Sequence, residues 1–169
     1  MHIKLSKIVL VWSIALFATL VVFGNVTDYG SNYAFVYHVL KMDTVPPNIN
    51  IKWRAIESSN IYTAAYIFII CSESVIALLC WMGGWRLLKA IKSADNFNRA
   101  KGVAILGLTL GIIVWFTGFL TIGGEWFAMW QSHKWNGQEP AFRLIVIFGI
   151  ILIYLNMPDI DENAKQEKI

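Results

Sequence analysis

Four long apolar runs, separated by polar segments, make up the hydropathy pattern of this chain. They cover residues 8–26, 61–83, 102–122 and 141–157. An α-helix needs about 20 residues to cross the hydrocarbon core of a bilayer, so each run predicts one membrane-spanning helix. The fourth run is the shortest, and residues 141–143 are expected at its outer margin. The pattern predicts an all-α integral membrane protein with four transmembrane helices in one membrane domain, residues 1–169.

The first run has a second interpretation, as a cleaved signal peptide. Residues 22–24, Val-Phe-Gly, loosely fit a small-residue cleavage site. However, the run is longer than a usual signal core, and the chain continues from Asn25 without the polar start of a mature protein. We therefore expect an uncleaved first helix.

The polar segments between the runs differ in character. Residues 27–60 contain turn signals and a Pro46-Pro47 break, which cannot lie inside a helix. Within them, residues 33–42 could form an amphipathic helix in the membrane interface. We expect residues 27–60 and the Trp-rich residues 123–140 to be two structured loops packed on each other.

The distribution of positive charge predicts the orientation, because Lys and Arg collect on the cytoplasmic side of membrane proteins. Nine of the 14 Lys and Arg residues lie in residues 1–7, 84–101 and 158–169. Four of the other five lie in the two long loops, and Arg143 lies at the outer margin of the fourth run. This predicts N-in and C-in, with residues 84–101 as a cytoplasmic loop and 158–169 as a cytoplasmic tail. Both structured loops, 27–60 and 123–140, are then outer, periplasmic loops.

The composition agrees with a membrane protein. Hydrophobic residues make up 57% and charged residues 15%, against about 45–50% and about 25% in soluble proteins. A large soluble core is therefore excluded. The net charge of +3 does not indicate nucleic-acid binding, because the cations flank the apolar runs. Cys71 and Cys80 lie nine residues apart on one predicted helix, too far apart to form a disulfide.

Glu73 is the ionisable residue of the second run and lies near its midpoint. A charge at mid-bilayer costs about 2.5–3.5 kcal/mol on insertion scales, so such a residue normally faces a bundle interior or water. On charge grounds its candidate partner is Arg143 of the fourth run. Alternatively, a protonated Glu73 forms a hydrogen bond with a neighbouring polar group. A role in handling protons or ions, or a place at a partner interface, is also possible. The neutral candidates are Ser72, Ser74, Thr109 and Tyr66.

The Trp-rich loop supplies most of a candidate outer binding surface. Its residues, with one from the first loop, are Glu125, Trp126, Trp130, His133, Trp135 and His38. An interfacial aromatic belt accounts for most of the Trp residues, but a groove for a lipid, a quinone ring or a partner helix is the alternative. If the third helix extends outward, Glu125, Met129 and His133 share one face.

Other site types have little support in the sequence. His38, Asp43, Glu125 and His133 could form a transition-metal set, but no dense ligand spacing supports one, so we predict no metal and no cofactor. The chain has no phosphate loop, no Rossmann fingerprint and no nucleophile elbow, so no catalytic residues are predicted. All three His lie outside the runs, which argues against haem held between the helices. Gly107 and Gly111 form a small-xxx-small spacing for close helix packing.

Several long segments resemble one bacterial family. They are residues 24–44 (GNVTDYGSNYAFVYHVLKMDT), 53–56 (WRAI), 123–132 (GGEWFAMWQS) and 135–138 (WNGQ). The chain is similar along nearly its whole length to the predicted small integral membrane proteins called domain of unknown function 2165. The resemblance implies a multi-pass protein of the bacterial inner membrane with no established activity. It supplies no catalytic residues.

These observations favour a non-catalytic accessory component of an envelope complex, which binds a partner or a lipid-like ligand at its outer surface. Its expected partners are the lipid bilayer and a membrane protein or further copies of the chain, with no nucleic acid. One alternative is a small oligomeric proton- or ion-coupled transporter that uses Glu73. A further alternative is a metal-dependent membrane enzyme built on His38, Glu125 and His133.

Overall fold

A computed structural model of the chain describes residues 1–160, and every regular element in that range is helical. Four helical stretches are long and apolar enough to cross a membrane: His2–Thr27, Ser59–Lys89, Ala94–Trp126 and Gln138–Asn156. Each contains or closely matches one apolar run of the sequence. The prediction of an all-α chain with four such helices is therefore confirmed for the described residues.

Nine helical elements form the described part of the chain. They are α1 (His2–Thr27), α2 (Tyr29–Lys41), a 3₁₀ turn (Lys52–Arg54), α3 (Ser59–Lys89), α4 (Ala94–Ala100), α5 (Gly102–Ile113), a π-helical segment (Val114–Trp126), a second 3₁₀ turn (Met129–Gln131) and α6 (Gln138–Asn156). The four long stretches run alternately up and down. Residues 28–58 and 127–137 therefore lie at one end of the bundle, here called the loop end. Residues 1–7, 90–101 and 157–160 lie at the other, the terminal end.

Small residues bring α3 close to two neighbouring helices. A side chain at Gly83 would come within 2.6 Å of the backbone of Ala104 on α5. One at Gly84 would meet the indole of Trp12 on α1 at 2.3 Å. The helix runs straight through this glycine pair to Lys89, although the second apolar run was predicted to end at residue 83. Packing on both faces keeps α3 helical where the intrinsic preference of glycine would end it.

The first structured element of the first loop, α2, continues the direction of α1 alongside α3. The backbone leaves the helical region at Asp28 and re-enters it at Tyr29. Tyr29 then packs edge-on against Tyr66 with ring centroids 4.8 Å apart, and Tyr37 packs in the same way against Tyr62 at 5.1 Å. The first two or three turns of α3 are therefore covered by α2, beyond the point where α1 ends.

A buried ion cluster closes the terminal end. The carboxylate of Asp159 accepts hydrogen bonds from Lys7 at 2.8 Å and from Lys101 at 2.6 Å. Both ammonium groups also donate to the carbonyl of Met157. Asn98 donates to the carbonyl of Asp159 and accepts from its backbone N–H. These contacts tie residues 157–159 to α1, to α4 and to Lys101 at the start of α5. The predicted tail, 158–169, lies outside the described residues from 161 onward.

Candidate functional site

Glu73 lies in the interior of the bundle, 3% exposed. Its carboxylate accepts one hydrogen bond from the described residues, from the side-chain amide of Asn25 on α1 at 2.7 Å. The cavity beside it is lined by Gly137 and Pro140 at the start of α6. Glu73 lies near the middle of α3 and also lines a small space with Phe148, near the middle of α6. The cavity therefore extends from this level to the loop end of α6.

Asn25 links the carboxylate to an aromatic cluster. Its backbone carbonyl accepts a hydrogen bond from the hydroxyl of Tyr66 at 2.8 Å. The ring of Tyr66 also makes edge contacts with Tyr29 and Tyr33 of α2. The break between α1 and α2 therefore lies about one turn beyond Asn25, and both helices contribute to the lining of the cavity at Glu73.

A cavity of about 260 Å³ opens at Glu73. Its walls come from α1, α2, α3, the π-helical segment and the start of α6. The lining residues are Val21, Asn25, Asn32, Phe35, Val36, Tyr66, Ile69, Glu73, Trp115, Phe119, Gly137 and Pro140. Glu73 is the charged member of this set, and four members are aromatic. The cavity thus offers a carboxylate, two side-chain amides and several ring surfaces.

An apolar groove of about 440 Å³ lies next to this cavity, between α2, α3 and the π-helical segment. Apart from the hydroxyl groups of Ser72 and Thr117, its lining is apolar or glycine. The hydroxyl of Ser72 already donates to the carbonyl of Phe68 within its own helix. The groove and the cavity share the walls formed by Phe35, Val36, Ile69 and Phe119. The cavity, with its carboxylate and amides, and the apolar groove are therefore adjacent.

The π-helical segment shapes both spaces. Hydrogen bonds here join residues five apart, as in that from the N–H of Phe127 to the carbonyl of Ile122 at 3.0 Å. The wider winding turns Trp115 and Phe119 toward the cavity and leaves Gly118 open to the groove. π-helical turns are uncommon and are frequently found at functional sites. A regular α-helix would present these residues in a different rotation.

The predicted pairing of Arg143 with Glu73 is not seen in the structure. Its guanidinium pairs with Glu139, one turn earlier on α6, and its side chain is mostly exposed. Of the neutral candidates, Ser72 and Ser74 donate to carbonyls of their own helix, and Tyr66 donates to Asn25. The structure therefore places an amide from another helix, and not a cation or hydroxyl, against the carboxylate.

The six residues predicted for the outer binding surface do not form one site. They lie in two separate contacts and at three exposed positions. Trp126 stacks under the guanidinium of Arg54 at 4.5 Å and contacts Trp53 edge-on at 6.0 Å. His38 stacks on Trp135 at 4.7 Å and forms a 2.9 Å contact with Asp43. The remaining three, Glu125, Trp130 and His133, are exposed.

The shared face predicted for Glu125, Met129 and His133 does not form. The helical segment ends at Trp126, and Ala128 has a left-handed backbone with φ of 51°. Among residues 1–160, no three His, Cys, Asp or Glu side chains lie together as a metal site would require.

The two predicted packing glycines lie inside the bundle. A side chain at Gly107 would meet the Sγ of Cys80 at 2.9 Å, and one at Gly111 would meet the ring of Phe148 at 2.1 Å. Their close contacts are thus made with α3 and α6 of the same chain. They carry no information about a partner protein.

Sequence reasoning missed Asn25, Asn32, Phe35, Trp115 and Phe119 as members of the site. Asn25 stands at the end of an apolar run, and a lone amide there is a plausible donor to an intramembrane carboxylate. The aromatic residues gave no such signal, since they are common throughout this chain.

A comparison with protein-family models gives a match over residues 3–158 to the family described as predicted small integral membrane protein (DUF2165). The match covers nearly the whole chain and confirms the resemblance seen in its motifs. Searches of curated proteins and of solved structures gave no match.

Proposed function

The chain belongs to the family of predicted small integral membrane proteins, and on that premise we propose that it is a non-catalytic membrane component that binds a lipid-like amphiphile between its helices. It is a multi-pass membrane protein, and the amphiphile would enter from the bilayer. An accessory role in an envelope complex follows if the bound molecule is presented to a partner.

The observation that supports this proposal is the adjacency of a polar cavity and an apolar groove. An amphiphile has a polar head and an apolar body, and the cavity at Glu73 and the groove behind Phe35 and Phe119 match these two parts. The two volumes together fall within the range of ligand pockets, about 300–1,000 Å³.

The orientation is also part of the proposal. With N-in and C-in, the loop end faces the periplasm, and the site lies in the outer half of a bacterial inner membrane. The distribution of cations supports this orientation. The exposed indoles of Trp53 and Trp126, with the half-buried Arg54 between them, then lie beside the outer interface, where a partner protein could contact them.

A substitution that fills the groove tests the binding proposal. Gly118 lines the groove, and a side chain built there meets nothing within 4 Å. Gly118→Leu should therefore fill the groove without disturbing the bundle. Gly149→Leu is the matched control, since Gly149 on α6 is also open and lines neither space.

The measurement is native mass spectrometry of the protein extracted in mild detergent, followed by analysis of the extracted lipids. We expect a bound amphiphile on the original chain and on Gly149→Leu, and at least about tenfold less on Gly118→Leu. An equal amount on all three, or none on any, would contradict the proposal. A co-purifying polypeptide would identify the partner of an accessory component.

A second function, proton- or ion-coupled transport, is favoured by the buried carboxylate at the polar end of the cavity. An oligomer would be needed, because four helices are few for a transport path. In this case Glu73→Gln should abolish a flux in proteoliposomes and leave the fold intact. Unchanged flux would remove the hypothesis.

A further inference from the structure

The surroundings of Glu73 are incomplete for a buried charge. Among the described residues, its carboxylate has one hydrogen bond, from the neutral amide of Asn25. In the part of the chain that the structure describes, no Lys, Arg or His belongs to the lining of the cavity or of the apolar groove. A buried carboxylate without a cationic partner is costly unless something else compensates its charge. The missing element is a positive charge.

The aromatic lining fits the same requirement. Phe35, Tyr66, Trp115 and Phe119 all contribute to the wall of the cavity that holds Glu73. Aromatic faces attract organic cations through their electron-rich surfaces, and rings arranged around a cation are a common way to bind amines. A carboxylate among several aromatic rings therefore favours an amine over a neutral polar group.

The charge of the lining also selects between amphiphiles. A phospholipid head carries a phosphate, which needs cationic or several hydrogen-bond-donating partners. The side-chain donors in the cavity lining are few, and the amide of Asn25 is already bonded to Glu73. That of Asn32 donates to the carbonyl of Asp28. A molecule with one positive charge and no anionic group is the better match.

We infer that the cavity and groove bind a lipophilic amine, with the protonated nitrogen at Glu73 among the rings and the apolar body in the groove. This inference rests on the proposed function, because it assigns the chemical class of the amphiphile. Glu73 then forms the ion pair that residues 1–160 do not provide.

A series of three probes with the same alkyl chain tests the charge preference. Decylamine, decanol and decanoate are titrated into the purified full-length protein in a non-ionic detergent at neutral pH, by calorimetry. At this pH the amine is positively charged and the carboxylate is negatively charged. We expect decylamine to bind at least about tenfold more tightly than decanol, and decanoate to bind most weakly.

Glu73→Gln removes the charge and keeps an oxygen that can accept the hydrogen bond from Asn25. It should lower the affinity for decylamine to about that for decanol and leave the decanol affinity unchanged. Glu57→Gln is the control, because Glu57 is an exposed carboxylate outside the cavity. It should leave the binding of all three probes as it is.

The outcomes separate the two proposals. Decanol binding as tightly as decylamine would overturn the amine assignment and retain the amphiphile site. The same conclusion follows if Glu73→Gln leaves decylamine affinity unchanged. Saturable binding of none of the three probes would overturn both. If Glu73→Gln does not fold, Trp115→Leu gives the decision: a fall of several-fold in the ratio of decylamine to decanol affinity supports the inference, and an unchanged ratio refutes it.

Discussion

At the scale of single residues, one amide holds the carboxylate of Glu73 in place. Asn25 donates to it at 2.7 Å, and the same residue receives the hydroxyl of Tyr66 through its carbonyl. Asn25 thereby connects α1, α3 and the aromatic residues of α2. Because the carboxylate is buried, removing this donor leaves it without the one hydrogen bond that the described residues provide.

We predict that Asn25→Ala lowers the free energy of unfolding by about 1–3 kcal/mol, the range for leaving a buried polar group without its hydrogen-bond partner. Asn156→Ala is the control, because its amide bonds to the carbonyl of Leu152 at an exposed position of α6. It should change the stability much less. Unfolding in mixed detergent micelles, followed by circular dichroism, gives both values. Equal stabilities for the two variants would contradict the structural role of Asn25.

The sequence identified Glu73 but not its surroundings. A carboxylate inside an apolar run is conspicuous whatever the fold, because its burial has a cost. Its neighbours depend on how α1 and α3 align, which contacts such as Thr19 with Trp81 determine only in the folded bundle. Arg143 was predicted as a partner from charge alone. A carboxylate four residues earlier, Glu139, is the closer candidate on a helix.

At the scale of elements, the approach of α3 to α5 depends on residues without side chains. Gly83 lies against the backbone of Ala104, which cannot move aside as a flexible side chain can. Gly107 lies against Cys80 in the same interface. Helices in membranes gain stability mainly from such close packing, since lipid provides no hydrophobic driving force between them.

Alanine at Gly83 should therefore destabilise the bundle by about 1–3 kcal/mol through overpacking. Gly149→Ala makes the same chemical change on α6, where nothing lies within 4 Å of the new methyl group. That control should be neutral or stabilise the protein, by up to about 1 kcal/mol, because alanine is the better helix former. Thermal unfolding of the two variants in one detergent measures the difference. If Gly83→Ala leaves the stability unchanged, α3 and α5 are packed less closely at this position than described.

The carboxylate of Asp159 should make the stability of the terminal end depend on pH. Burial disfavours its charged form, but the hydrogen bonds and charges of Lys101 and Lys7 outweigh burial and hold the pKa of Asp159 below its usual 3.8. Because the folded pKa is lowered, this stabilisation is complete above about pH 3.8 and is lost as the pH falls through the lower folded value.

We expect Asp159→Asn to lower the free energy of unfolding by about 3–5 kcal/mol, because it leaves two buried ammonium groups without their counter-ion. It should also remove part of the stability loss in acid. Asp95→Asn serves for comparison, since the pair of Asp95 with Arg99 is exposed, and exposed pairs contribute little. Denaturation curves at neutral and acidic pH would reveal both effects. The prediction fails if the two variants behave alike.

The ends of elements were less predictable than their existence. The π-helical segment, Val114–Trp126, lies in a run that reads as ordinary helix, because apolar spacing alone does not distinguish hydrogen bonds to the fourth and to the fifth residue. The shared face predicted for Glu125 and His133 is wrong for a different reason. It required a helix through residue 133, whereas the left-handed backbone of Ala128 stops it.

At the scale of the whole molecule, hydropathy sufficed to predict four crossing helices, because the thickness of the bilayer fixes their length. The arrangement of α2 along α3 was beyond such reasoning. It depends on aromatic contacts between Tyr residues that also occur in an interfacial belt. The candidate site lies where α1, α2, α3 and the π-helical segment meet. Its geometry could not be predicted from the sequence, because it depends on the same contacts.

The predicted orientation can be tested with single cysteines. Asn48 and Lys92 are exposed at the loop end and the terminal end. With N-in and C-in, Asn48→Cys should react with a membrane-impermeant maleimide on intact bacterial cells, and Lys92→Cys should react only after permeabilisation. The unmodified chain, which contains Cys71 and Cys80, measures the background. The reversed pattern would show that the loop end faces the cytoplasm.

The pair of Lys7 and Asp159 also has a consequence for how the protein is made. These residues are 152 positions apart, and ribosomes add about 5–20 residues per second. The time between the synthesis of Lys7 and the synthesis of Asp159 is therefore roughly 8–30 s. During that interval the ammonium group must stay in contact with water at the membrane surface. Insertion of the first helix and completion of the bundle are thus separate events, and the second requires Asp159, which lies just beyond the end of α6 at Asn156.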